Sequence, residues 1–530
     1  SCCAMVGNVG GRSMSTTSFQ PSGIGSDKGG GGATGSIVVA GCCREPAQPT
    51  TSRHAITRRF MAGDSSTQGE PVATATATDG LAVRAAPARP CAMDLFTSLG
   101  PAIAAHHDRH RNDLPERFVY GPDAADALAR ALSEWVLGRR AVVIADTRTW
   151  QAAGEAARDA LSRAGWSCEP WILPDRPGGK SPVSDDATHA VMSEGVPMAD
   201  AYVAVGSGVV NDSTKWLAAE RGAPYAVLAT AASMNGYASA NVAPAIRGVK
   251  SLAHGRAPRV VAALPSVIEA APFRLTAAGL GDVIAKPIST ADWIVNHRVF
   301  SEPFSAEIAS IIDSLEPAYL DRPEALAARE PGAIRALFDA LVRSGCAMTL
   351  HGSSLPASGG EHLVSHTLDM LADLDGVEHD LHGRQVGVAT ILAAALYEKL
   401  VAMERPVFEP RVAPFDPALW GSIADAVAAE HAKKRANVET ACSWLNAPGN
   451  WESLVAQLRP WLRPARAIRD CLARSGAACR IEDLGCSRER FLLAVRHCGA
   501  IRGRFTSIDL AWCAGLLPGS ADSIAHDLLD

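Results

Sequence analysis

Residues 201–212 read Ala201-Tyr-Val-Ala-Val-Gly206-Ser-Gly208-Val-Val-Asn-Asp212, and the fold is decided here. The run from Ala201 to Val205 is continuously apolar, as a strand buried on both faces of a parallel sheet requires. Two glycines follow, and helical spacing sets in from about Asp212. Glycine lets a backbone approach a phosphate, and a helix start offers unpaired N–H groups with partial positive charge. The pattern is shorter than a full G-x-G-x-x-G, so a plain strand-to-helix turn is the other reading. The next strand, Tyr225-Ala-Val-Leu-Ala, runs into Thr230-Ala-Ala-Ser233-Met-Asn235-Gly-Tyr-Ala-Ser239. That hydroxyl-rich turn lies at the carboxyl end of the sheet, where open α/β sheets bind ligands. Two such loops in succession point to a dinucleotide.

Working outward, Phe118-Val-Tyr, Arg-Ala-Val-Val-Ile-Ala-Asp146, Glu169-Pro-Trp-Ile-Leu and Arg259-Val-Val-Ala-Ala-Leu read as further strands, with helical stretches such as 150–164 between them. Repeated βα units predict a parallel sheet with helices on its faces. Beyond about residue 268 the strand signal fades. Helical patterns cover 303–316, 323–342, 361–374, 382–404, 416–433, 450–474 and 487–498. The expected organisation is a disordered low-complexity tail (1–95), an α/β dinucleotide-binding domain (117–268) and an all-α metal-binding domain (269–530).

The 530 residues carry a net charge of −6 and 47% hydrophobic residues, enough for a large core and more than one domain. No basic stripe supports nucleic-acid binding. No apolar run reaches membrane-spanning length. Thirteen scattered cysteines without CxxC pairs fit reduced thiols in a cytoplasmic enzyme. Low-complexity runs such as Ala-Thr-Ala-Thr-Ala-Thr in the first 95 residues lack apolar periodicity. Arg58-Arg59 hints at a twin-arginine signal, but no apolar segment follows, so export is not expected. Met93 is a sensible alternative start. His106, His107 and His110 read as a solvated helix face.

The chemistry concentrates in Gly-Gly-Glu-His362-Leu-Val-Ser-His366 and Leu-His382-Gly, with Ala277-Ala-Gly-Leu-Gly-Asp282 upstream. His362 and His366 are four apart, which puts both imidazoles on one helix face. Two imidazoles and one carboxylate, with open positions left for substrate oxygen, are a common catalytic zinc arrangement. The site should lie in the cleft between the helical half and the sheet.

In these stretches the sequence resembles the sn-glycerol-1-phosphate dehydrogenase family, part of the dehydroquinate synthase-like and iron-containing alcohol dehydrogenase superfamily. The motifs run in order from Gly206–Ser239 through Asp282, His362 and His382 to Ile501-Arg-Gly-Arg-Phe-Thr-Ser-Ile-Asp-Leu-Ala. The resemblance implies that Gly206, Gly208, Val209, Val210, Asn211 and Asp212 line the pyrophosphate of NAD or NADP. Thr230, Ser233 and Ser239 would contact the same dinucleotide. Asp282, His362 and His382 would hold Zn2+, with Ni2+ or Fe2+ as alternatives. Asp282 and His366 would touch the substrate, a small polyol phosphate. Asn235 is the third candidate catalytic residue beside Asp282 and His366: the family often has Asp at this position, where it meets the substrate, and some relatives have Arg where this chain has Leu355. Asn235 hydrogen-bonds but cannot take a proton as a carboxylate does, and Leu355 removes one phosphate contact.

The expected activity is therefore metal-dependent, NAD(P)-linked interconversion of glycerone phosphate and sn-glycerol 1-phosphate in a cytoplasmic homo-oligomer. A dehydrogenase of an unphosphorylated polyol such as glycerol is the alternative. A dehydroquinate synthase-type lyase and a homologue without turnover rank below it. Lys250 is a candidate for the substrate or the dinucleotide, or else a solvated lysine. Asp146, closing its strand, either meets the adenosine ribose, where an acid favours NAD by repelling a 2′-phosphate, or caps the following helix.

Overall fold

The computed structural model describes residues 114–530 apart from Leu315. The tail 1–95, Arg58-Arg59, Met93 and the His106–His107–His110 cluster lie outside the described residues.

Six strands form one parallel sheet: β1 (Arg117–Tyr120), β2 (Arg140–Asp146), β3 (Ser167–Leu173), β4 (Ala201–Gly206), β5 (Tyr225–Ala229) and β6 (Val260–Ala263). Their order across the sheet is β1-β6-β5-β4-β2-β3. The chain steps from β2 to one side for β3, then returns to the other side for β4. Adjacent strands whose connections leave in opposite directions open a crevice at their carboxyl ends. Asp146 ends β2 and Gly206 ends β4, so both sequence motifs meet this crevice.

Each sheet face has its own core because side chains alternate along a strand. Val143, Val203, Val205 and Leu228 pack with Leu128 and Leu132 of α1 (Ala124–Trp135) and Leu161 of α2 (Glu155–Arg163). Val142, Ile144, Tyr202, Ala204 and Val227 join the much larger core of the helical part. Strand β3 is an edge and mostly exposed, and it tolerates Pro170 there.

Helix α3 (Gly208–Glu220) begins four residues before the expected Asp212. Its N-terminus therefore abuts β4 directly. Two short hairpins, Asn241–Val242 with Ala253–His254 and Ala245–Ile246 with Val249–Lys250, fill the stretch before β6. The sequence did not announce them.

After β6, all described elements are helical. Helices α4 (Phe273–Ile284) and α5 (Lys286–Phe300) occupy a stretch outside the expected helices. Nearly every residue of both, polar ones included, is buried. For α5, burial on most sides leaves little apolar stripe for periodicity to reveal. Helices α6 (Pro331–His351), α7 (Gly360–Asp375) and α8 (His382–Val401) follow, and the last two match the expected 361–374 and 382–404 within a few residues. The expected single helix 450–474 is two, Asn450–Leu458 and Ala465–Arg474. Pro460 and Pro464 separate them, since proline cannot donate the helical hydrogen bond. The expected 416–433 splits at Gly421, and its second part runs on from Ala424 to Leu445. Among the described residues no helix is long and apolar enough to cross a membrane.

One crossing sets the site. Helices α4 and α8 touch backbone to backbone. A Cβ on Gly383 would lie 1.9 Å from the Ala278 carbonyl oxygen, and one on Gly281 would lie 2.0 Å from the Gly383 oxygen. These glycines are what allow Asp282 and His382, each the sequence neighbour of a contact glycine, to approach. Gly383→Ala should therefore lower the melting temperature by the equivalent of about 1–3 kcal/mol or more. Gly332→Ala, where an added Cβ meets nothing within 4 Å, should leave it unchanged or slightly raised. Parallel thermal melts check the pair, and equal melting temperatures would contradict the crossing's role.

Candidate active site

Asp282 lies near the end of α4, 2% exposed. Its Oδ2 accepts the Asn235 backbone N–H at 2.9 Å. Its Oδ1 accepts Asn235 Nδ2 at 3.1 Å and Lys286 Nζ at 3.0 Å. Lys286 is fully buried, one turn on, and also donates to the Ala357 carbonyl at 2.9 Å. The turn carrying Asn235 can reach Asp282 because Gly279 leaves room: a Cβ there would strike the Ala232 carbonyl at 2.1 Å. Burial alone raises the Asp282 pKa. Lys286, with His362 and His382, overrides that and holds the carboxyl well below the usual carboxylate range.

Of the two other expected ligands, His362 reaches this carboxylate and His382 lies beside His362. His362 Nε2 is 3.6 Å from Asp282 Oδ1, and the His362 and His382 rings are 5.2 Å apart. Their outer nitrogens are already committed. His362 Nδ1 donates to Glu361 Oε1 at 2.8 Å. Ser365 Oγ gives its one proton to Gln385 Oε1 at 2.7 Å, so it accepts from His382 Nδ1 at 2.9 Å. Both imidazoles therefore carry the lone pair on Nε2, the orientation that second partners impose on metal-binding histidines. Burial, then His362, pushes His382 down to about 4, so it is neutral at pH 7 and able to bind a cation. A carboxylate oxygen 3.6 Å from one imidazole nitrogen, with a second neutral imidazole ring beside the first, has the donor types that suit a divalent metal such as zinc.

His366 stacks on His382 at 5.1 Å, and its buried Nδ1 has no hydrogen-bond partner among the described residues. Burial, then His382, Arg502 and Lys250, keep its pKa well below the ordinary histidine value. His366, His382 and Asp369 also bring ligand atoms within 4.8 Å of one another. Asp369, however, is held by His379 Nδ1 at 3.0 Å and Lys250 Nζ at 3.4 Å. Each carboxylate thus already has a cationic partner: Lys250 and His379 at Asp369, Lys286 at Asp282.

At the sheet edge, α3 starts at Gly208 and its N-cap Ser207 makes no side-chain cap. Its first backbone N–H groups, including those of Val209 and Val210, are left for an anion, which fits a dinucleotide pyrophosphate. The side chains of Asn211 and Asp212 do other work. Asn211 Nδ2 donates to Asp212 Oδ1 at 3.0 Å, and the buried Lys215 donates to Asp212 Oδ1 and to the carbonyls of Gly236 and Asn241. Together they pin the turn that presents Asn235. Thr230 N–H donates to the Gly206 carbonyl at 3.2 Å, tying the two expected loops together. Ser233 is buried beside them. Ser239 is 1% exposed, with its hydroxyl accepting from the Asn241 N–H. Asp146 forms a reciprocal cap with Thr149, its Oδ1 accepting the Thr149 N–H at 2.8 Å; its Oδ2 is 3.5 Å from Arg148. Leu355 is buried and apolar. Lys250 faces Asp369, not bulk solvent.

Several contributors escape a reading of the sequence: Lys286, Lys215, Glu361, Ser365, Gln385 and Asp369. Lys286 had a signal, standing four residues after Asp282. Glu361 and Ser365 flank His362 on one helix. Gln385, Lys215 and Asp369 had none, because only the fold brings them to their partners.

Residues 119–272 match the family model described as iron-containing alcohol dehydrogenase. A glycerol-1-phosphate dehydrogenase (NAD(P)+) from Bacillus velezensis is 31% identical over 292 residues, spanning 55% of this chain and 73% of the relative. One of the same name from Thermococcus kodakarensis is 32% identical over 288 residues, spanning 54% of this chain and 79% of the relative. The crystal structure of glycerol dehydrogenase from Schizosaccharomyces pombe superposes with a TM-score of 0.50 at 16% identity, covering 78% of this chain and 91% of that one, which bears on the fold alone.

The Asp369–His379 pair makes a pH prediction. Burial lowers the His379 pKa, but the hydrogen bond and charge of Asp369 outweigh it and raise it to about 9, from an ordinary 6.5. Stability from a raised pKa is fully present below 6.5 and is lost as pH rises through about 9. The melting temperature should fall between these limits, and fall less in His379→Gln. Identical pH profiles would contradict the pairing.

Proposed function

The chain belongs to the glycerol-1-phosphate dehydrogenase family, and on that footing we propose that it interconverts glycerone phosphate and sn-glycerol 1-phosphate, using NAD(H) or NADP(H) and a divalent metal. The observation that carries the reading is the meeting of Asp282 Oδ1 and His362 Nε2 at 3.6 Å, with the His382 ring alongside. Zinc suits the donors best, with nickel or iron as alternatives. The enzyme is read as a cytoplasmic homo-oligomer whose α/β domain ends near residue 268.

When bound, the metal supplies Lewis-acid stabilisation of the substrate oxygen and the dinucleotide supplies the hydride. The protein does the rest. Asp282, His362 and His382 would hold the metal, while Asn235 and Lys286 fix the carboxylate and Glu361 and Ser365 fix the ring tautomers. Backbone N–H groups at the start of α3 would hold the pyrophosphate. Asp146, with Arg148 beside it, would meet the adenosine ribose; an acid and a guanidinium together suit either dinucleotide.

In reduction, hydride goes to the carbonyl carbon and a proton must reach its oxygen. His366, whose buried Nδ1 has no hydrogen-bond partner among the described residues, would orient that oxygen and relay the proton to or from water. Asn235 does not stand in for a missing base. Its amide points at Asp282, where a carboxylate would face like charge. The Asn therefore supports the metal-binding carboxylate, a role consistent with turnover.

Glycerone phosphate should be reduced with NADH or NADPH, with kcat/KM at least about tenfold above that for unphosphorylated glycerone. Chelation should abolish the rate, and Zn2+, Ni2+ or Fe2+ should restore it. Absence of any rate with glycerone phosphate across these metals would overturn the assignment.

A further inference from the structure

Beyond the metal ligands and the nucleotide loops, one group of side chains has no assigned role. Arg502 follows the turn that ends at Ile501 and leads into α9 (Ser507–Cys513). It is largely buried, yet its only hydrogen bond among the described residues is a long one, 3.4 Å from Nη2 to the Lys250 carbonyl, and it makes no ion pair there. The nearby Glu430 is already engaged by Lys433 and by the Gly503 N–H. Lys250 stands at the end of the Ala245–Lys250 hairpin, and its ammonium lies 3.4 Å from Asp369. Asp369 in turn is shared with His379, which is cationic at neutral pH.

Charge pairing is therefore incomplete at Arg502: Asp369 pairs with Lys250 and His379, Asp373 adds its charge near those two, and Glu430, the acid that acts on Arg502, makes no ion pair with it among the described residues. Burying a guanidinium without an anion is unfavourable, and the deficit is removed when an anion enters. The corner also has a definite address. Asp369 lies one helical turn beyond His366 on α7, and Arg502 and Lys250 both act on His366 electrostatically. His366 stacks on His382. Arranged in order are thus the metal carboxylate Asp282, then His362 and His382, then His366, then the Lys250–Arg502 pair.

We propose that Lys250 and Arg502 form the subsite for the substrate's phosphate, so that a short phosphorylated polyol spans from the metal ligands, past His366, to this pair. The inference rests on the glycerone phosphate reading and adds which residues recognise the dianion. Arg502 offers a planar fork suited to two phosphate oxygens, and Lys250 a point charge. Asp369 sets Lys250 in place from behind, a positioning residue with no contact to phosphate.

The test compares Arg502→Met and Lys250→Met with the wild-type holoenzyme, assaying glycerone phosphate against unphosphorylated glycerone, with inorganic phosphate as inhibitor. Each variant should lose on the order of 10- to 100-fold in kcat/KM for glycerone phosphate beyond any loss for glycerone, mainly through KM. Inhibition by inorganic phosphate should weaken in proportion, and Arg502→Lys should recover part of the loss. Equal losses for both substrates, or an unchanged KM for glycerone phosphate, would overturn the subsite. If wild type fails to turn over glycerone phosphate, the substrate reading falls while the subsite is still decided. Inorganic phosphate should then raise the wild-type melting temperature, raise that of Arg502→Lys less and leave that of Arg502→Met unchanged, and no rise in wild type would refute it.

Discussion

A carboxylate deep in a protein needs partners, and Asp282 is the group around which this one is arranged. Its burial costs several kcal/mol unless charge and hydrogen bonds offset it. Three donors from two residues do so: the backbone and amide of Asn235 and the ammonium of Lys286. Those donors come from different parts of the fold. Asn235 follows a strand of the sheet, and Lys286 opens the next helix. The bare backbone contact of Gly281 with Gly383 then brings the His382 helix alongside. The sheet's carboxyl edge and the helical part are thereby locked at the point where hydride, metal and substrate would have to meet.

Strands β2, β4, β5 and β6 were legible because they are buried on both faces, and short, continuous apolar runs such as Tyr225–Ala229, bounded by turn residues, suit an interior strand best. Helices α7 and α8 were legible by spacing. Helix α5 was not, because burial on most sides leaves little amphipathic pattern, whereas α4, which carries Asp282, has a pattern as strong as that of α7. Helix breaks at Pro460 and Pro464 were written in the sequence but overridden by a long periodic stretch. The small hairpin that delivers Lys250 is too short to leave a pattern.

The site divides in the same way. His362 and His366 could be placed on one face from their spacing alone, and family motifs drew in Asp282 and His382. The residues that set tautomers and charge were less visible. Ser365 matters because Gln385 takes its proton, a fact of three-dimensional contact. Asn211 and Asp212 show a second part that spacing does not reveal: besides their place in a glycine loop, their side chains anchor the Asn235 turn through Lys215. The two clusters of potential ligands differ in their partners: Asp282 has one cation, Lys286, with the His362 ring beside it, while Asp369 has two, Lys250 and His379.

The central claim is that Asp282, His362 and His382 share one cation. Anomalous diffraction from crystals of the metal-loaded protein, recorded at the absorption edge of the bound metal, measures this directly. The account predicts one strong peak about 2.0–2.2 Å from an Asp282 oxygen and from Nε2 of both His362 and His382. A peak among His366, Asp369 and His382, or Asp282 still bonded only to Asn235 and Lys286 in fully loaded protein, would contradict it.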